Sequence, residues 1–397
     1  MHRWLIGLSM LGTVGTARAQ SGVVFNDRNA NGLRDPGEPG MARVAVSDQD
    51  SVVLTGADGS YRMTSGRGHG IVFVSIPDGY RSVGNFWRRA SEAQAFALAE
   101  STRPQAGTRP SAEGFVFVHA SDTHISEQSA ARTRRLRALA DSIKPGFVII
   151  TGDLVRDALR VGEPEARGYY DLFARERGAF AMPVYTVPGN HEIFGIETTR
   201  SGVSPTHPLF AKTMYRSYFG PDYYSFNRGG VHFVALNTVD VRGEDYYGHV
   251  DSLQLSWLAR DLEAIPPGTP VVTFNHIPFF STSEQLMGYH PEWPAPTLIK
   301  VNGKETFRHT VSNAADVLAV LARRQHVLAL GGHVHMRELI NYGWNGSPRR
   351  FENAAAVVAP TSVAGREFPS GLTLYRVKNG VIDAGTFIPL GIPGSTH

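Results

Sequence analysis

The chain of 397 residues contains no cysteine, which excludes disulfides and every metal site that depends on a cysteine ligand. The folded state must therefore depend on an apolar core and on any metal bound by other side chains. An excess of one charge is also missing, because 39 Lys and Arg residues stand against 36 Asp and Glu residues. So small an imbalance predicts no strong field for nucleic acid or for a membrane surface.

Long apolar runs are missing as well, which excludes a membrane-spanning helix. The amino-terminal apolar stretch, residues 4–14, falls short of the roughly 20 residues that cross a bilayer. It follows Met1-His2-Arg3 and precedes Ala17-Arg18-Ala19, and these are the three parts of a secretory signal peptide. We expect residues 1–19 to be removed by cleavage after Ala19, which leaves the mature protein in the periplasm or outside the cell.

Residues 20–84 alternate short apolar runs with turn residues, which predicts a small all-β sandwich domain. Within it, residues 27–38 place oxygen-bearing side chains at positions 1, 3, 5, 9 and 12 and glycine at position 6, the spacing of a calcium loop. Strands rather than helices flank this loop, which excludes an EF-hand pair. The alternative to a calcium site is a polar surface turn that binds no ion. The candidate calcium ligands are Asp27, Asn29, Asn31, Asp35 and Glu38.

Residues 85–112 are rich in Ala, Ser, Arg, Gln and Pro, which predicts a linker with one helical segment around residues 90–100. The remainder, residues 113–397, contains short β-branched and aromatic runs separated by longer segments that can hold helices. This pattern is typical of an α/β fold whose sheets are buried between layers. The five runs that organise it are 115–118, 147–150, 184–187, 271–274 and 327–330.

Each of these five runs leads into Asp, His or Asn, usually beside a glycine. A single such residue is more often a cap or a satisfied core group than a ligand. Five of them at the carboxyl ends of strands, where open α/β sheets place their chemistry, favour a metal site. The candidate ligands are Asp122, His124, Asp153, Asn190, His276, His333 and His335.

Each of the five runs and the candidate ligands that follow it form one sequence block. In order and residue type, these five blocks resemble those of the calcineurin-like metallophosphoesterases over about residues 113–385. The resemblance implies a four-layer α/β/β/α sandwich, in which two mixed sheets face each other with helices outside. It also implies two divalent or trivalent ions of Mn, Fe or Zn, with Asp153 bridging them. Metal 1 would be held by Asp122, His124, Asp153 and His335, and metal 2 by Asp153, Asn190, His276 and His333.

His191 directly follows Asn190 in the third block and is not among the candidate ligands. The resemblance implies a catalytic role for it. It implies that His191 protonates or stabilises the leaving oxygen while a metal-bridging hydroxide attacks phosphorus; a structural histidine is the alternative. Asp157 and Glu192 are candidates to orient His191 or a ligand. Four histidines outside the blocks are interpreted as ordinary: His207, His249, His290 and His309.

The sequence lacks features typical of three neighbouring phosphoesterase families, which narrows the choice of family. Arg156 stands where a purple acid phosphatase would carry a tyrosine ligand, and Asp-Arg-Gly, typical of protein Ser/Thr phosphatases, is absent at that point. Only 62 residues follow His335, too few for the large second domain of a periplasmic 5′-nucleotidase. We expect strands over 355–359, 372–377 and 381–387 to complete the second sheet.

Two function classes remain. The first is a secreted binuclear metal phosphoesterase acting on a small phosphomonoester or phosphodiester. The second is a calcium-stabilised surface or binding protein, since residues 22–61 resemble the calcium-binding immunoglobulin-like B repeats of bacterial surface proteins. The same residues also resemble the small β-domain that precedes some secreted calcineurin-like phosphoesterases. The complete set of candidate ligands favours the enzyme.

Overall fold

The computed structural model describes residues 20–64, 68–92, 94–101, 114–288, 296–344, 347–363 and 365–392. The expected signal peptide, residues 1–19, lies outside the described residues, and so does most of the second half of the expected linker, from 102 onward. Among the described residues, no helix combines the length and the apolar character needed to cross a membrane.

The amino-terminal region is a sandwich of two four-stranded sheets, as the alternating pattern predicts. In β4, for example, Tyr61 and Met63 are buried while Ser60 and Arg62 are exposed, so one face of the strand joins the core. One sheet has the order β4-β1-β8-β6 and the other β3-β2-β5-β7. The strands are β1 Gln20–Asn26, β2 Ala45–Ser47, β3 Val52–Leu54, β4 Ser60–Met63, β5 Ile71–Val74, β6 Tyr80–Ser82, β7 Trp87–Arg89 and β8 Ala95–Glu100.

The prediction of a helix around residues 90–100 is wrong, because strand β8 occupies most of that stretch. Ala, Leu and Glu favour a helix locally, but β8 pairs in parallel with β1 and buries Phe96 and Leu98 in the sandwich core. Pairing and burial outweigh the local preference. The β-region therefore continues through the first half of the expected linker to Glu100.

The rest of the chain forms two six-stranded mixed sheets that face each other, with helices outside. The first has the order β11-β10-β9-β24-β25 with β26 beside β24, and the second β12-β13-β16-β19-β21-β20. The elements are β9 Phe115–Ala120, α1 Ala130–Ile143, β10 Val148–Ile150, α2 Glu163–Gly178, β11 Val184–Thr186, α3 Thr198–Ser201, α4 Lys212–Phe219, β12 Tyr224–Arg228, β13 Val231–Ala235, β14 Val239–Arg242, β15 Asp245–Gly248, α5 Ser252–Glu263, β16 Pro270–Phe274, α6 Ser283–Met287, β17 Leu298–Val301, β18 Lys304–Phe307, α7 Ala314–Leu321, β19 Gln325–Gly331, β20 Glu338–Trp344, β21 Ser347–Asn353, β22 Thr361–Val363, β23 Arg366–Phe368, β24 Gly371–Lys378, β25 Val381–Ile382 and β26 Thr386–Pro389.

Aromatic side chains fill the space between the two sheets. Phe117 of the first sheet stacks on Phe147 and Tyr375 and meets the edge of Phe233 from the second sheet. Helices α1 and α2 cover the outer face of the first sheet, and α5 and α7 cover that of the second. Helix α5 begins at Ser252 because the side chain of Asp251 accepts a hydrogen bond from the N–H of Gln254 and caps the helix.

All five organising runs are strands, but they divide between the sheets. Strands β9, β10 and β11 run parallel in the first sheet, and β16 and β19 run parallel in the second. Their carboxyl ends meet at one edge of the sandwich, where the candidate ligands of the two sheets lie together. The face-to-face packing of the sheets therefore creates the site.

The carboxyl-terminal prediction is wrong in two respects. Residues 355–359 form no strand in this described stretch, because the N–H groups of Val357 and Val358 bond to the carbonyls of Ser121 and Asp122, in the ligand loop. Strand β24 pairs antiparallel with β9, so the last strands complete the first sheet rather than the second.

The amino-terminal sandwich shares its core with the two larger sheets. Phe73 of β5 is fully buried and meets the rings of Tyr224 and Trp257 edge to face. Around it, the hydroxyl of Tyr223 donates to the carbonyl of Gln49 at 2.6 Å, and the indole N–H of Trp257 donates to Ser47 at 3.1 Å. We therefore expect the two regions to unfold together.

Candidate metal centre

The candidate ligands lie in two groups that share one residue. In the first group, one ligand atom from each of four residues lies within 4.8 Å of the others, and the second group of three meets the same limit. Asp153 belongs to both groups. The first group is Asp122, His124, Asp153 and His335, and the second is Asp153, His276 and His333.

Imidazole nitrogens approach each other in both groups. Nε2 of His124 lies 3.2 Å from Nε2 of His335, and Nε2 of His276 lies 3.2 Å from Nδ1 of His333. The side-chain oxygen of Asn190 lies 3.1 Å from Nε2 of His276, which adds Asn190 to the second group. Several lone-pair donors that converge on one point suit a cation better than they suit one another.

The carboxylate of Asp122 shows the same preference. Its Oδ2 accepts the backbone N–H of His333 at 3.1 Å. Its Oδ1 is buried and receives no hydrogen bond of normal geometry from the described residues, although Nε2 of His335 lies 3.2 Å away. A buried carboxylate oxygen without such a bond needs another partner, and a metal ion is one.

Backbone strain also concentrates at this site. The backbones of five candidate ligands have positive φ angles, in the left-handed region that residues other than glycine rarely adopt. Each such residue costs on the order of 1–3 kcal/mol and persists only where the surrounding structure imposes it. This observation supports a functional site without reference to any family. The five φ values are 54° at Asp122, 36° at His124, 48° at Asp153, 71° at His333 and 59° at His335.

Two glycines allow the ligand loops to approach each other. A Cβ atom on Gly189 would lie 2.2 Å from Oδ1 of Asp153, and one on Gly152 would lie 2.7 Å from Nδ1 of His276. Gly152 also has a φ of 82°. Any side chain at either position would displace a candidate ligand.

Glu192 ties the second and third ligand loops together. Its Oε1 accepts the backbone N–H groups of Leu154 and Val155 at 2.8 and 2.9 Å, and its Oε2 accepts that of Gly189 at 2.6 Å. Burial, and then the charge of Asp153, raise the pKa of Glu192 to about 8 despite these bonds. Glu192 therefore orients the loops that carry Asp153 and Asn190 through their backbones.

His191 lies beside Asp153 and His124 in the site. Its Nδ1 lies 2.5 Å from the carbonyl oxygen of Arg156, so Nδ1 carries the proton and donates it. Its Nε2 then points toward the centre, 3.9 Å from Oδ2 of Asp153. Its ring meets that of His124 edge to face, with the centroids 4.5 Å apart.

The side-chain hydrogen bonds described for Asp157 reach neither His191 nor a candidate ligand. Its Oδ1 accepts the backbone N–H groups of Leu159 and Arg160, and its Oδ2 accepts the guanidinium of Arg160 at 3.1 Å. Asp157 therefore closes a turn beside the site. The backbone carbonyl of Arg156, which no side-chain pattern reveals, holds His191 instead.

Charges around Asp153 keep it ionised. Burial would raise its pKa, but the imidazoles of His276, His191 and His124 outweigh burial and hold the pKa well below its usual range. Burial would likewise lower the pKa of His276, but the carboxylate of Asp153 outweighs it and raises that pKa to about 9. A metal ion at His276 must therefore displace a proton.

His309, which the sequence analysis interprets as an ordinary histidine, contacts the candidate ligand His333. Nδ1 of His309 lies 2.7 Å from Nε2 of His333, and the two rings are nearly parallel at 23°. His309 follows no ligand-bearing strand and belongs to no repeated block, so sequence spacing could not reveal it. Of the other three, His207 contacts Glu163 and His249 contacts Asp240, while His290 lies outside the described residues.

Comparison with known proteins gives the family. The model of the calcineurin-like phosphoesterase family matches residues 115–337, and that of the N-terminal region of calcineurin-like phosphoesterases matches residues 28–95. Because the first match covers more than half of the chain, the protein belongs to the calcineurin-like phosphoesterase family. The second match agrees with the resemblance of the small β-domain to those that precede such enzymes.

Individual proteins that match the chain share limited sequence identity with it. The human serine/threonine-protein phosphatase CPPED1 is 27% identical over 166 residues, which are 41% of this chain and 48% of that protein. The chain thus spans about half the length of that relative. A dimetal phosphatase from Danio rerio matches with a TM-score of 0.43 and 16% identity, over 67% of this chain and 93% of that chain. The purple acid phosphatase PPD1 of yellow lupin matches with a TM-score of 0.45 and 12% identity, over 94% and 68%.

Proposed function

We propose that the protein is a secreted, binuclear metal-dependent phosphoesterase that hydrolyses a small phosphomonoester or phosphodiester. The single observation that carries this proposal is the pair of ligand groups joined by Asp153. A carboxylate whose Oδ2 lies 3.4 Å from Nε2 of His124 and whose Oδ1 lies 3.2 Å from Nε2 of His276 would suit two cations, one in each group. A calcium-stabilised binding protein would not require either group.

The residues present fit two transition metals. The orphaned Oδ1 of Asp122 and the convergent imidazoles supply carboxylate and nitrogen donors without thiolate, a set suited to divalent Mn, Fe or Zn. Asp122, His124, Asp153 and His335 would hold metal 1. Asp153, Asn190, His276 and His333 would hold metal 2. Bound at these residues, the two metals would activate water and neutralise the phosphoryl oxygens.

His191 is the proposed acid for the leaving oxygen. Its Nδ1–H is held by the carbonyl of Arg156, so Nε2 alone is available to the substrate. When the ring is protonated, Nε2–H, which lies 3.9 Å from Oδ2 of Asp153, can donate to the oxygen of the departing alcohol. Glu192 holds the loop that carries His191 in place through the N–H of Gly189.

One experiment tests the function directly. The chain from residue 20 onward is purified, stripped of metal and reloaded with Mn, Fe or Zn, and its metal content is measured by mass spectrometry. Turnover is then measured on p-nitrophenyl phosphate, a monoester, and on bis(p-nitrophenyl) phosphate, a diester. We expect two metals per chain and metal-dependent turnover of at least one ester. A chain that binds both metals and turns over neither ester would contradict the proposal.

Export is part of the same proposal. Cleavage after Ala19 would leave the whole of β1, which begins at Gln20, in the mature chain. Expression of the full chain in a host with a secretion pathway, followed by mass measurement of the mature protein, tests it. A mature chain that begins at Gln20 supports export, and a chain that keeps residues 1–19 contradicts it.

The acidic loop of the amino-terminal sandwich is proposed as a calcium site. Oδ2 of Asp35 receives the side-chain amides of Asn29 and Asn31, each at 2.8 Å, so three of the five candidate ligands meet. Asp27 and Glu38 are buried at the base of the loop and accept backbone N–H groups from Gly32 and Arg28. Carboxylate and amide side chains on one short loop are the ligand types that suit a hard cation such as calcium.

A further inference from the structure

His333 is held between two other histidines. Its Nδ1 lies 3.2 Å from Nε2 of His276, inside the proposed second metal site. Its Nε2, on the opposite side of the ring, lies 2.7 Å from Nδ1 of His309. The planes of the His309 and His333 rings lie 23° apart, with their centroids 5.0 Å apart. Each nitrogen of the His333 ring therefore has a histidine nitrogen as its neighbour.

The direction of the hydrogen bond to His309 sets which nitrogen of His333 is free to bind a cation. A neutral imidazole carries one proton, so one nitrogen donates a hydrogen bond and the other offers a lone pair. When Nε2 of His333 donates to Nδ1 of His309, Nδ1 of His333 keeps its lone pair and faces His276. Contacts of this kind around a metal site orient the ligand ring and raise its basicity.

His309 itself is placed by neighbours from two hairpins. It directly follows β18 and Arg308, whose buried guanidinium lies 4.2 Å from the ring centroid of Tyr246 on β15. The ring of Tyr246 meets those of His309 and His333 edge to face, with centroid distances of 6.3 and 5.9 Å. The β14–β15 and β17–β18 hairpins thus hold His309 against the metal site.

We propose that His309 is a positioning residue, which holds His333 with Nδ1 toward the second metal and so sets the affinity of that metal. This inference rests on the proposed function and deepens it. The first metal, whose proposed ligands make no contact with His309 among the described hydrogen bonds, serves as the internal reference.

The test compares four proteins: the wild type, His309→Ala, His309→Asn and His309→Gln. The affinity of each metal is measured by titrating Zn²⁺ into the metal-free chain against a competing chelator. We expect His309→Ala to weaken the second metal by about 10–100-fold and to leave the first unchanged. His309→Asn should recover most of the loss, since its amide oxygen reaches the position of Nδ1. His309→Gln, of similar size, places its amide oxygen one bond farther along and should recover little.

A matched control is His249→Ala. His249 directly follows β15, is partly exposed and donates its Nδ1–H to the carboxylate of Asp240 at 3.0 Å, so it lies in the same region without touching His333 in the described contacts. We expect this variant to bind both metals like the wild type.

The outcomes separate the inference from the proposed function. Unchanged second-metal affinity in His309→Ala, or an equal loss in the Asn and Gln variants, would overturn the positioning role while two metals still bind the wild type. A wild type that binds no second metal would overturn the proposed function itself. If His309→Ala does not fold, the difference between the Asn and Gln variants decides the question.

Discussion

The backbone N–H of His191 donates a hydrogen bond to Oδ1 of Asp153, at a distance of 3.0 Å. The same carboxylate has its Oδ2 3.9 Å from Nε2 of His191 and 3.4 Å from Nε2 of His124. The proposed bridging residue and the proposed acid are thus built as one unit. A change at either residue should nevertheless have a different signature, because Asp153 faces both metal sites whereas only one nitrogen of His191 faces the centre.

The first prediction concerns Asp153→Asn. The amide lowers the negative charge between the two proposed metals, so we expect at least one metal to be lost and turnover to be abolished. The affinity of the weaker metal should fall by at least about 10–100-fold, the range found even for changes outside the ligand shell. Metal content and turnover on both nitrophenyl esters are measured. Two bound metals and normal turnover would contradict the bimetallic assignment.

The second prediction concerns His191→Ala. An alkoxide leaving group needs a proton as the P–O bond breaks, whereas a nitrophenolate leaves adequately without one. We therefore expect alkyl phosphoesters to be hydrolysed about 10²–10⁴-fold more slowly, and nitrophenyl esters to be affected much less. Metal content should stay unchanged. Equal losses on both leaving groups would indicate charge stabilisation instead of proton transfer, and lost metal would make His191 a ligand.

The third prediction concerns the shared core. Phe73 is fully buried against Tyr224 and Trp257, so Phe73→Ala leaves a cavity between the two regions. We expect the free energy of unfolding of the whole chain to fall by about 3–5 kcal/mol, in a single transition. The matched control is Leu33→Ala, at a side chain that is 67% exposed, which should change stability by less than about 0.5 kcal/mol. Separate transitions for the two regions in urea would show that they fold independently.

The fourth prediction concerns the pH dependence of stability. His326 is buried in β19 beside Thr273, and burial, then Arg349, lower its pKa to about 3. Between pH 6.5 and 3 the unfolded chain therefore binds a proton at His326 that the folded chain does not, so stability falls as the pH falls. His326 should remove about 2 kcal/mol between pH 7 and pH 5. His326→Leu should lose that part of the slope in urea unfolding, and an unchanged slope would contradict it.

The fifth prediction concerns the proposed calcium loop. Calcium that binds only the folded state should raise the melting temperature of the full chain, and the rise should disappear in Asp27→Asn. The full chain is the proper sample, because the sandwich shares its core with the rest of the protein. Both proteins are compared with calcium and with magnesium at equal concentration. Equal melting temperatures in all four samples would remove the calcium site.

The sequence alone indicates the ligand-bearing strands correctly, for a local reason. Each run places apolar side chains on both faces of a strand and leads into a residue of a type that can bind metal, and both features lie close together in the sequence. Phe115 to Ala120, for example, leads directly into Asp122 and His124. A buried strand and its terminal ligand can be recognised without knowing their neighbours.

Tertiary structure decides whatever depends on distant partners. Residues Ala95–Glu100 favour a helix by themselves and become a strand because β1 offers a pairing edge. The left-handed conformations of Asp122 and Asp153 cost energy locally, so only the surrounding fold can maintain them. Both sheets must pack face to face before their ligand loops can meet.

The same limit applies to the shell around the ligands. The residue types at Asp153, His191 and His333 were enough to predict a bimetallic site and a candidate acid. His309 lies 24 positions from His333, and no periodicity connects the two residues. Sequence by itself therefore determined the chemistry that the strands carry to one edge. Only the packed hairpins decided which further side chains orient that chemistry, because a hydrogen bond across space leaves no trace in local spacing.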